Sequence, residues 1–145
     1  MPITPLHFGV LAPINYFAPN KVSNVSFILV NLWIDSLAII NWFSGLALPE
    51  HNEENHTLAG VMLIVVFIAF IGMRSMKWFL GAFLGAISHI VLDSLVHLDM
   101  NPLNPYQGNP FYLGWMEPLS ITLLPFLIWF IVQYVSYSRD YLKKD

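Results

Sequence analysis

The stretch GAISHIVLDSLVHLD, residues 85–99, combines an apolar helical pattern with ionisable side chains at a regular spacing. His89, Asp93 and His97 follow one another at intervals of four residues. In an α-helix, positions four apart lie on nearly the same face, about 6 Å apart along the axis. The stretch therefore predicts a helix that presents two imidazoles and a carboxylate along one side.

The composition around this helix is typical of a membrane protein. Of the 145 residues, 57% are hydrophobic and 10% are charged, and the mean hydropathy is +0.62. Soluble domains usually carry about 25% charged residues. The chain has no cysteine, which excludes disulfides and thiolate ligands. Its six Lys and Arg residues form no basic cluster beyond the tail, so we expect no nucleic-acid partner.

Apolar runs predict one all-α domain over residues 1–145, an integral membrane helical bundle of about five segments. Four runs reach the length of roughly 20 residues (range about 17–25) that crosses a bilayer. Their approximate bounds are 24–43, 57–73, 78–98 and 119–138. A fifth run, 5–18, is short and contains Pro13, so we expect it to be tilted, broken or re-entrant.

The charges between these segments predict an orientation. If each segment crosses once, one face receives all the basic residues: Lys21, Arg74, Lys77, Arg139, Lys143 and Lys144. The other face receives acidic residues: Glu50, Glu53, Glu54, Asp99 and Glu117. The positive-inside rule makes the basic face cytoplasmic. We therefore expect a multi-pass protein of the inner (cytoplasmic) membrane, with its C-terminus in the cytoplasm.

The same topology places the candidate metal ligands towards the non-cytoplasmic face. They are His7, Asp35, His56, His89, Asp93 and His97. Imidazole and carboxylate without thiolate suit a catalytic zinc or a related divalent ion better than a closed structural site. The set could hold one to three ions, and Asp99 is a candidate catalytic base. The alternative is structural: these side chains could form packed, hydrogen-bonded pairs, such as Asp35 with Asn31.

Two further features of the sequence concern the surroundings of this site. Gly81 and Gly85 form a GxxxG pair, which predicts close approach of the second segment, where Asn31 and Asp35 repeat the four-residue step. The loop 99–118 is rich in Pro and aromatic residues. We expect it at the membrane interface, where it could cover the mouth of the metal site and admit a lipid head group.

Several of these stretches resemble one known family. TPLHFG, NLWID, the HT that opens the third segment, and GAISHIVLDSLVH are similar to sequences of the YdjM-like inner-membrane metal-dependent hydrolases of bacteria and archaea. The resemblance covers roughly residues 1–105 and implies an integral-membrane hydrolase that uses a divalent metal. The ligands it implies are His7, Asp35, His56, His89 and Asp93, with His97. The ligand order is also similar to that of zinc-dependent phospholipase C, which would indicate phosphoester substrates.

Together these features predict a membrane-embedded, divalent-metal-dependent hydrolase that acts at the outer leaflet on an ester or phosphoester of a lipid-like substrate. Its partners would be the lipid bilayer and that substrate. Two other functions stay open. The same cluster could form the permeation site of a metal or proton transporter, although the inner halves of the third and fourth segments are apolar. The chain could also be a non-catalytic membrane interaction protein.

Overall fold

The computed structural model describes residues 4–46, 56–72 and 75–142. Every regular element within these ranges is helical, which confirms the predicted all-α class. A 3-10 helix spans Thr4–Val10. Six α-helices follow it: α1 (Leu11–Phe17), α2 (Asn24–Ile34), α3 (Ser36–Phe43), α4 (Leu58–Ile71), α5 (Met76–Val96) and α6 (Met116–Leu142).

Helix α5 is central, and α2 packs along it in the same direction. Near the start of both helices, the backbone N–H of Ser23 donates to the carbonyl of Lys77 over 3.0 Å. Further along, the Nδ1 atom of His89 lies 2.8 Å from the Oδ1 atom of Asn31. Because the residue numbers increase together along both helices, α2 and α5 are parallel.

Two glycines of α5 allow this close approach. A Cβ atom at Gly85 would lie 2.6 Å from Val30 Cγ1 and 2.9 Å from the carbonyl oxygen of Phe27. A Cβ atom at Gly81 would clash with the Ser26 hydroxyl and the Ser23 carbonyl. The predicted packing of the GxxxG pair against the second segment is therefore confirmed.

Helix α4 runs antiparallel to α5 on another side. The indole N–H of Trp78, near the start of α5, donates to the carbonyl of Ile68, near the end of α4, over 2.6 Å. The Thr57 hydroxyl caps the other end of α4 by accepting from the N–H of Gly60 at 3.0 Å. Apolar side chains from α2, α4, α5 and the following loop share one core: Val30, Ile34, Val61, Ile64, Val65, Ile68, Ala82, Ala86, Ile90 and Met100.

The N-terminal segment packs against α6. A Cβ atom at Gly9 would lie 2.8 Å from the carbonyl oxygen of Leu123 and 2.9 Å from the backbone nitrogen of Leu127. The predicted irregularity of this short segment takes the form of a 3-10 helix that continues into α1. Pro13 lies in the first turn of α1, where the missing N–H breaks no intrahelical hydrogen bond.

The predicted segment 24–43 is not one continuous helix. Asp35 separates α2 from α3 with φ −86° and ψ 8°, outside the usual helical values. Its N–H still donates to the Asn31 carbonyl at 3.2 Å, and its own carbonyl accepts from Ile39 at 2.9 Å. The interruption is thus confined to one residue.

Within the described residues, two helical stretches are long and apolar enough to cross a membrane: Met76–Val96 and Glu117–Tyr137. Helices α2 and α4, with 11 and 14 residues, are apolar but shorter. These helices agree with the predicted all-α class and with its apolar character. A crossing by all five segments stays a prediction, and many of the charges used for its orientation lie outside the described residues: Glu50, Glu53, Glu54, Arg74, Lys143 and Lys144.

The contact at Gly85 predicts that Gly85→Ala destabilises the protein. The substitution adds about 1 kcal/mol of helix propensity. Overpacking against the backbone of α2 outweighs this gain, since forcing methylene groups into a packed interior typically costs about 1–3 kcal/mol. The thermal unfolding temperature of the purified protein should therefore fall. Ser88→Ala is the control, because the Ser88 hydroxyl bonds to a carbonyl of its own helix at 3.0 Å; equal unfolding temperatures for both variants would contradict the packing argument.

Candidate metal centre

Four of the predicted ligands meet near the C-terminal ends of α2 and α5. They are Asp35, His56, His89 and Asp93, and one possible ligand atom from each lies within 4.8 Å of all the others. All four residues are buried, with Asp35 and Asp93 only 7% and 3% exposed. The structure thus brings together residues that are up to 58 positions apart in the sequence, from Asp35 to Asp93.

Three separate elements supply these ligands. Asp35 ends α2, and His56 directly precedes Thr57, the N-cap of α4. His89 and Asp93 lie one turn apart on α5, as their four-residue spacing predicts. Because α4 is antiparallel to α2 and α5, its first residues lie at the same end of the bundle as the last residues of the other two helices.

Both imidazoles turn their Nε2 atoms towards the carboxylates. His89 Nε2 lies 3.0 Å from Asp93 Oδ2 and 3.4 Å from Asp35 Oδ1. His56 Nε2 lies 3.3 Å from Asp35 Oδ1 and 4.0 Å from Asp93 Oδ2. The two nitrogens and two carboxylates therefore converge on a common region.

This convergence fits a divalent cation. Two carboxylates buried side by side repel one another, and removing each from water costs several kcal/mol unless a positive charge compensates. Two imidazole nitrogens and two carboxylate oxygens are donors that zinc and related divalent ions accept. The four residues could hold such an ion.

His7 lies in direct contact with this group, and its predicted role as a further ligand stays a prediction. Its Nε2 lies 3.3 Å from Asp93 Oδ1, and its ring stacks on that of His89 with the centroids 4.3 Å apart. Asp93 thus directs one carboxylate oxygen towards His7 and the other towards His89. The packing of the N-terminal segment against α6 holds His7 in this position.

The structure does not bring His97 and Asp99 into the four-residue group. His97 is buried and caps the C-terminal end of α5, where its N–H donates to the Asp93 carbonyl at 2.8 Å. Asp99 is exposed in the turn that follows. The roles predicted for them, as a ligand and as a catalytic base, stay predictions.

The loop after α5 packs against the same end of the bundle as the ligands. Asn109 Nδ2 donates to the carbonyls of Ser94 and His97, at 2.6 and 2.7 Å. The N–H of Leu58, the first residue of α4, donates to the Pro102 carbonyl at 2.9 Å. The loop also contains a cavity of about 440 Å³, lined by Leu103, Tyr106, Gln107, Gly108, Asn109 and Pro110.

Asn31 has a role in the site that sequence reasoning assigned differently. The sequence suggested Asn31 as a partner for the Asp35 carboxyl within one helix. In the structure the Asn31 side chain bonds to His89 on α5. The position of Asn31 opposite Gly85 could have indicated its contact with His89, because a residue that faces this glycine must lie close to α5.

Comparisons with known proteins add no assignment: no family model, no curated protein and no solved structure matches this chain. The resemblance to the inner-membrane metal-dependent hydrolases therefore stays a prediction.

The geometry predicts that the protein binds a divalent metal and that His89→Ala abolishes this binding. Elemental analysis of the purified protein should find a stoichiometric metal in the wild type and none in the variant. Because an ion bound to the folded state adds stability, zinc at 100 times its Kd should stabilise the wild type by about 2.7 kcal/mol. Zinc should not raise the unfolding temperature of His89→Ala.

His97→Ala tests whether metal binding depends on the four residues that meet in the structure or on every residue that follows the four-residue spacing. It removes an imidazole from the same helix, but one that lies outside the four-residue group, so we expect the metal content to be retained. Equal loss of metal in His97→Ala and His89→Ala would contradict the four-residue assignment.

Proposed function

We propose that this protein is a membrane-embedded hydrolase that uses a divalent metal ion, zinc being favoured, to cleave an ester or phosphoester bond of a lipid-like substrate. The observation that carries the proposal is the buried group Asp35, His56, His89 and Asp93. It joins nitrogen and oxygen donors at one end of an apolar helical bundle. Structural zinc sites usually contain cysteine, and this chain has none.

A divalent cation held by this group would supply a Lewis acid and would activate a water near neutral pH. Asp35, His56 and His89 each direct one donor atom into the group. Asp93 holds its Oδ2 atom in the group while its Oδ1 atom contacts His7, so His7 restrains the orientation of that carboxylate. Burial keeps bulk water away from these charges, which strengthens their interaction with a cation.

Embedding in a bilayer is supported by the apolar surface of the helices. In the membrane-length stretch of α6, 11% of the most apolar window is buried, whereas half of the corresponding window of α5 is buried. Large apolar side chains such as Ile121 and Leu63 are 73% exposed. Soluble monomers rarely expose contiguous apolar surface on this scale, and hydrocarbon is the solvent that suits it.

A lipid-like substrate is supported by the loop beside the ligands. Tyr106, Phe111, Tyr112 and Trp115 are 41–77% exposed. Aromatic side chains concentrate at membrane–water interfaces, because their rings are apolar and their polar atoms prefer water. A metal site at that depth would meet the ester and phosphate bonds of lipids.

The opposite end of the bundle carries basic residues. Lys21 and Lys77 flank the starts of α2 and α5, and the 21 residues of α5 separate them from the loop by about 31 Å. A bilayer core is about 30 Å thick. We therefore propose that the basic end and the C-terminus face the cytoplasm, and that the metal site faces the outer leaflet of the cytoplasmic membrane.

The proposal predicts metal-dependent hydrolysis by the protein in lipid nanodiscs. Phospholipids and neutral fatty esters are incubated with metal-depleted and zinc-restored protein, and products are followed by mass spectrometry and phosphorus NMR. Zinc should restore cleavage, and Asp93→Asn should reduce the rate at least 100-fold because the substitution removes a charged ligand. Gln133→Ala on α6 is the control and should retain the rate.

Absence of zinc-restored cleavage across both substrate classes would contradict the hydrolase proposal. Zinc uptake into proteoliposomes that is lost in Asp93→Asn would then support the transporter alternative. Tight metal binding with neither activity would leave a non-catalytic membrane protein.

The absence of native cysteine makes the proposed orientation directly testable. Tyr106→Cys introduces a thiol into the loop beside the metal site, and Lys21→Cys introduces one at the opposite end. A membrane-impermeant maleimide should label Tyr106→Cys in intact spheroplasts and Lys21→Cys after lysis. Labelling of both variants from the same side would contradict the proposed orientation.

A further inference from the structure

The fully buried side-chain amide of Asn31, on α2, contacts His89, one of the four candidate ligands. Asn31 Nδ2 donates to the Phe27 carbonyl at 2.8 Å, within its own helix. Because a carbonyl oxygen can only accept, this bond fixes which end of the amide carries the nitrogen. The Oδ1 atom therefore faces α5, where it lies 2.8 Å from His89 Nδ1.

This arrangement determines the tautomer of His89. Oδ1 of an amide has no hydrogen to donate, so His89 Nδ1 must donate to it. In a neutral imidazole, the other nitrogen then carries a lone pair. That nitrogen, Nε2, lies 3.0 Å from Asp93 Oδ2 and 3.4 Å from Asp35 Oδ1.

A lone pair that faces two carboxylate oxygens is unfavourable, so a proton on Nε2 or a bound cation must lie among these atoms. The same three atoms are donors that would hold a divalent cation. The Asn31 bond thus prepares His89 for metal binding before any ion arrives.

We propose that Asn31 is the positioning residue of this site: it selects the Nδ1–H tautomer of His89 and directs Nε2 at the metal. The inference rests on the proposed function for the identity of the ion. The tautomer itself follows from the amide contacts alone. Partners of this kind, which hold the second nitrogen of a metal-binding histidine, typically contribute 10–100-fold to metal affinity.

The packing of α2 explains why Asn31 can take this role. A Cβ atom at Gly85 would lie 3.0 Å from Asn31 Nδ2 and 2.9 Å from the Phe27 oxygen. The glycine therefore leaves room for the amide and for its carbonyl partner. Since α2 also ends in Asp35, this helix contributes one ligand directly and orients another.

The test compares Asn31→Ala, which removes the acceptor, with Asn31→Asp, which keeps an acceptor towards His89 but puts a carboxylate oxygen where the amide donated to Phe27. Gln133→Ala is the matched control, since it truncates an amide on α6 whose Oε1 atom is also buried. Zinc affinity of the full chain is measured by competition with a chelator. The tautomer is read from ¹⁵N NMR of metal-free protein with labelled histidine, and His89→Ala assigns the signal.

We expect Nδ1 of His89 to carry a hydrogen in the metal-free wild type and in Asn31→Asp, with or without a second hydrogen on Nε2. Asn31→Ala should shift the His89 signal towards Nε2–H and weaken zinc binding 10–100-fold, with Gln133→Ala unchanged. An Nε2–H tautomer in the wild type would overturn the inference, and so would unchanged zinc affinity in Asn31→Ala.

These measurements also separate the inference from the proposed function. If the wild type binds no zinc, the proposed function fails, and the tautomer of the metal-free protein still decides the role of Asn31. If Asn31→Ala does not fold, the metal-free wild type decides it: an Nδ1 atom of His89 without a hydrogen would overturn the inference.

Discussion

Helices α2 and α5 approach each other across Gly81 and Gly85, and both the core and the candidate metal site depend on this contact. A Cβ atom at either glycine would collide with α2. Without side chains there, the Ser26 hydroxyl can donate to the Trp78 carbonyl at 2.8 Å. The same approach puts the end of α2 beside the ligands of α5. Fold and site are therefore coupled through one helix pair.

The second constraint is the cost of burying charged side chains, and it applies where α2 and α5 end. Asp35 and Asp93 are buried next to the same two imidazoles. Such a group is expensive in an apolar interior unless its charges are compensated. Convergent Nε2 atoms meet this requirement only when they are protonated, and a divalent cation would meet it more completely. The interruption of the second segment at Asp35 belongs to this arrangement, because it lies at the ligand itself.

The apolar surroundings make ionisable side chains costly at this site. Ionisable groups within membrane-length helices are rare and usually functional. His89 and Asp93 lie in the last two turns of such a helix, near the loop rather than at its centre. This position near the loop suits the lipid-like substrate that we propose. It also explains how one end of the bundle can combine aromatic residues with buried carboxylates.

Much of the site was predictable from the sequence because helical spacing is a local property. His89 and Asp93 share a face of α5 by their separation alone, and the GxxxG pair indicated the helix that would pack beside them. The ligand set was harder to limit. His97 continues the four-residue pattern, but it caps the end of α5, so its backbone differs from that of a helical position. Helical spacing predicts contacts only while the helix continues.

The sequence by itself determined the helical class, the apolar character and the pairing of His89 with Asp93, because these follow from composition and from the period of the helix. Only the tertiary structure decided that His56 joins Asp35, that His7 adjoins Asp93 from outside the group, and that Asn31 bonds to His89. The reason is physical: contacts between helices depend on how closely their backbones approach and on the direction of each side chain. Neither quantity is contained in the spacing of residues along one helix.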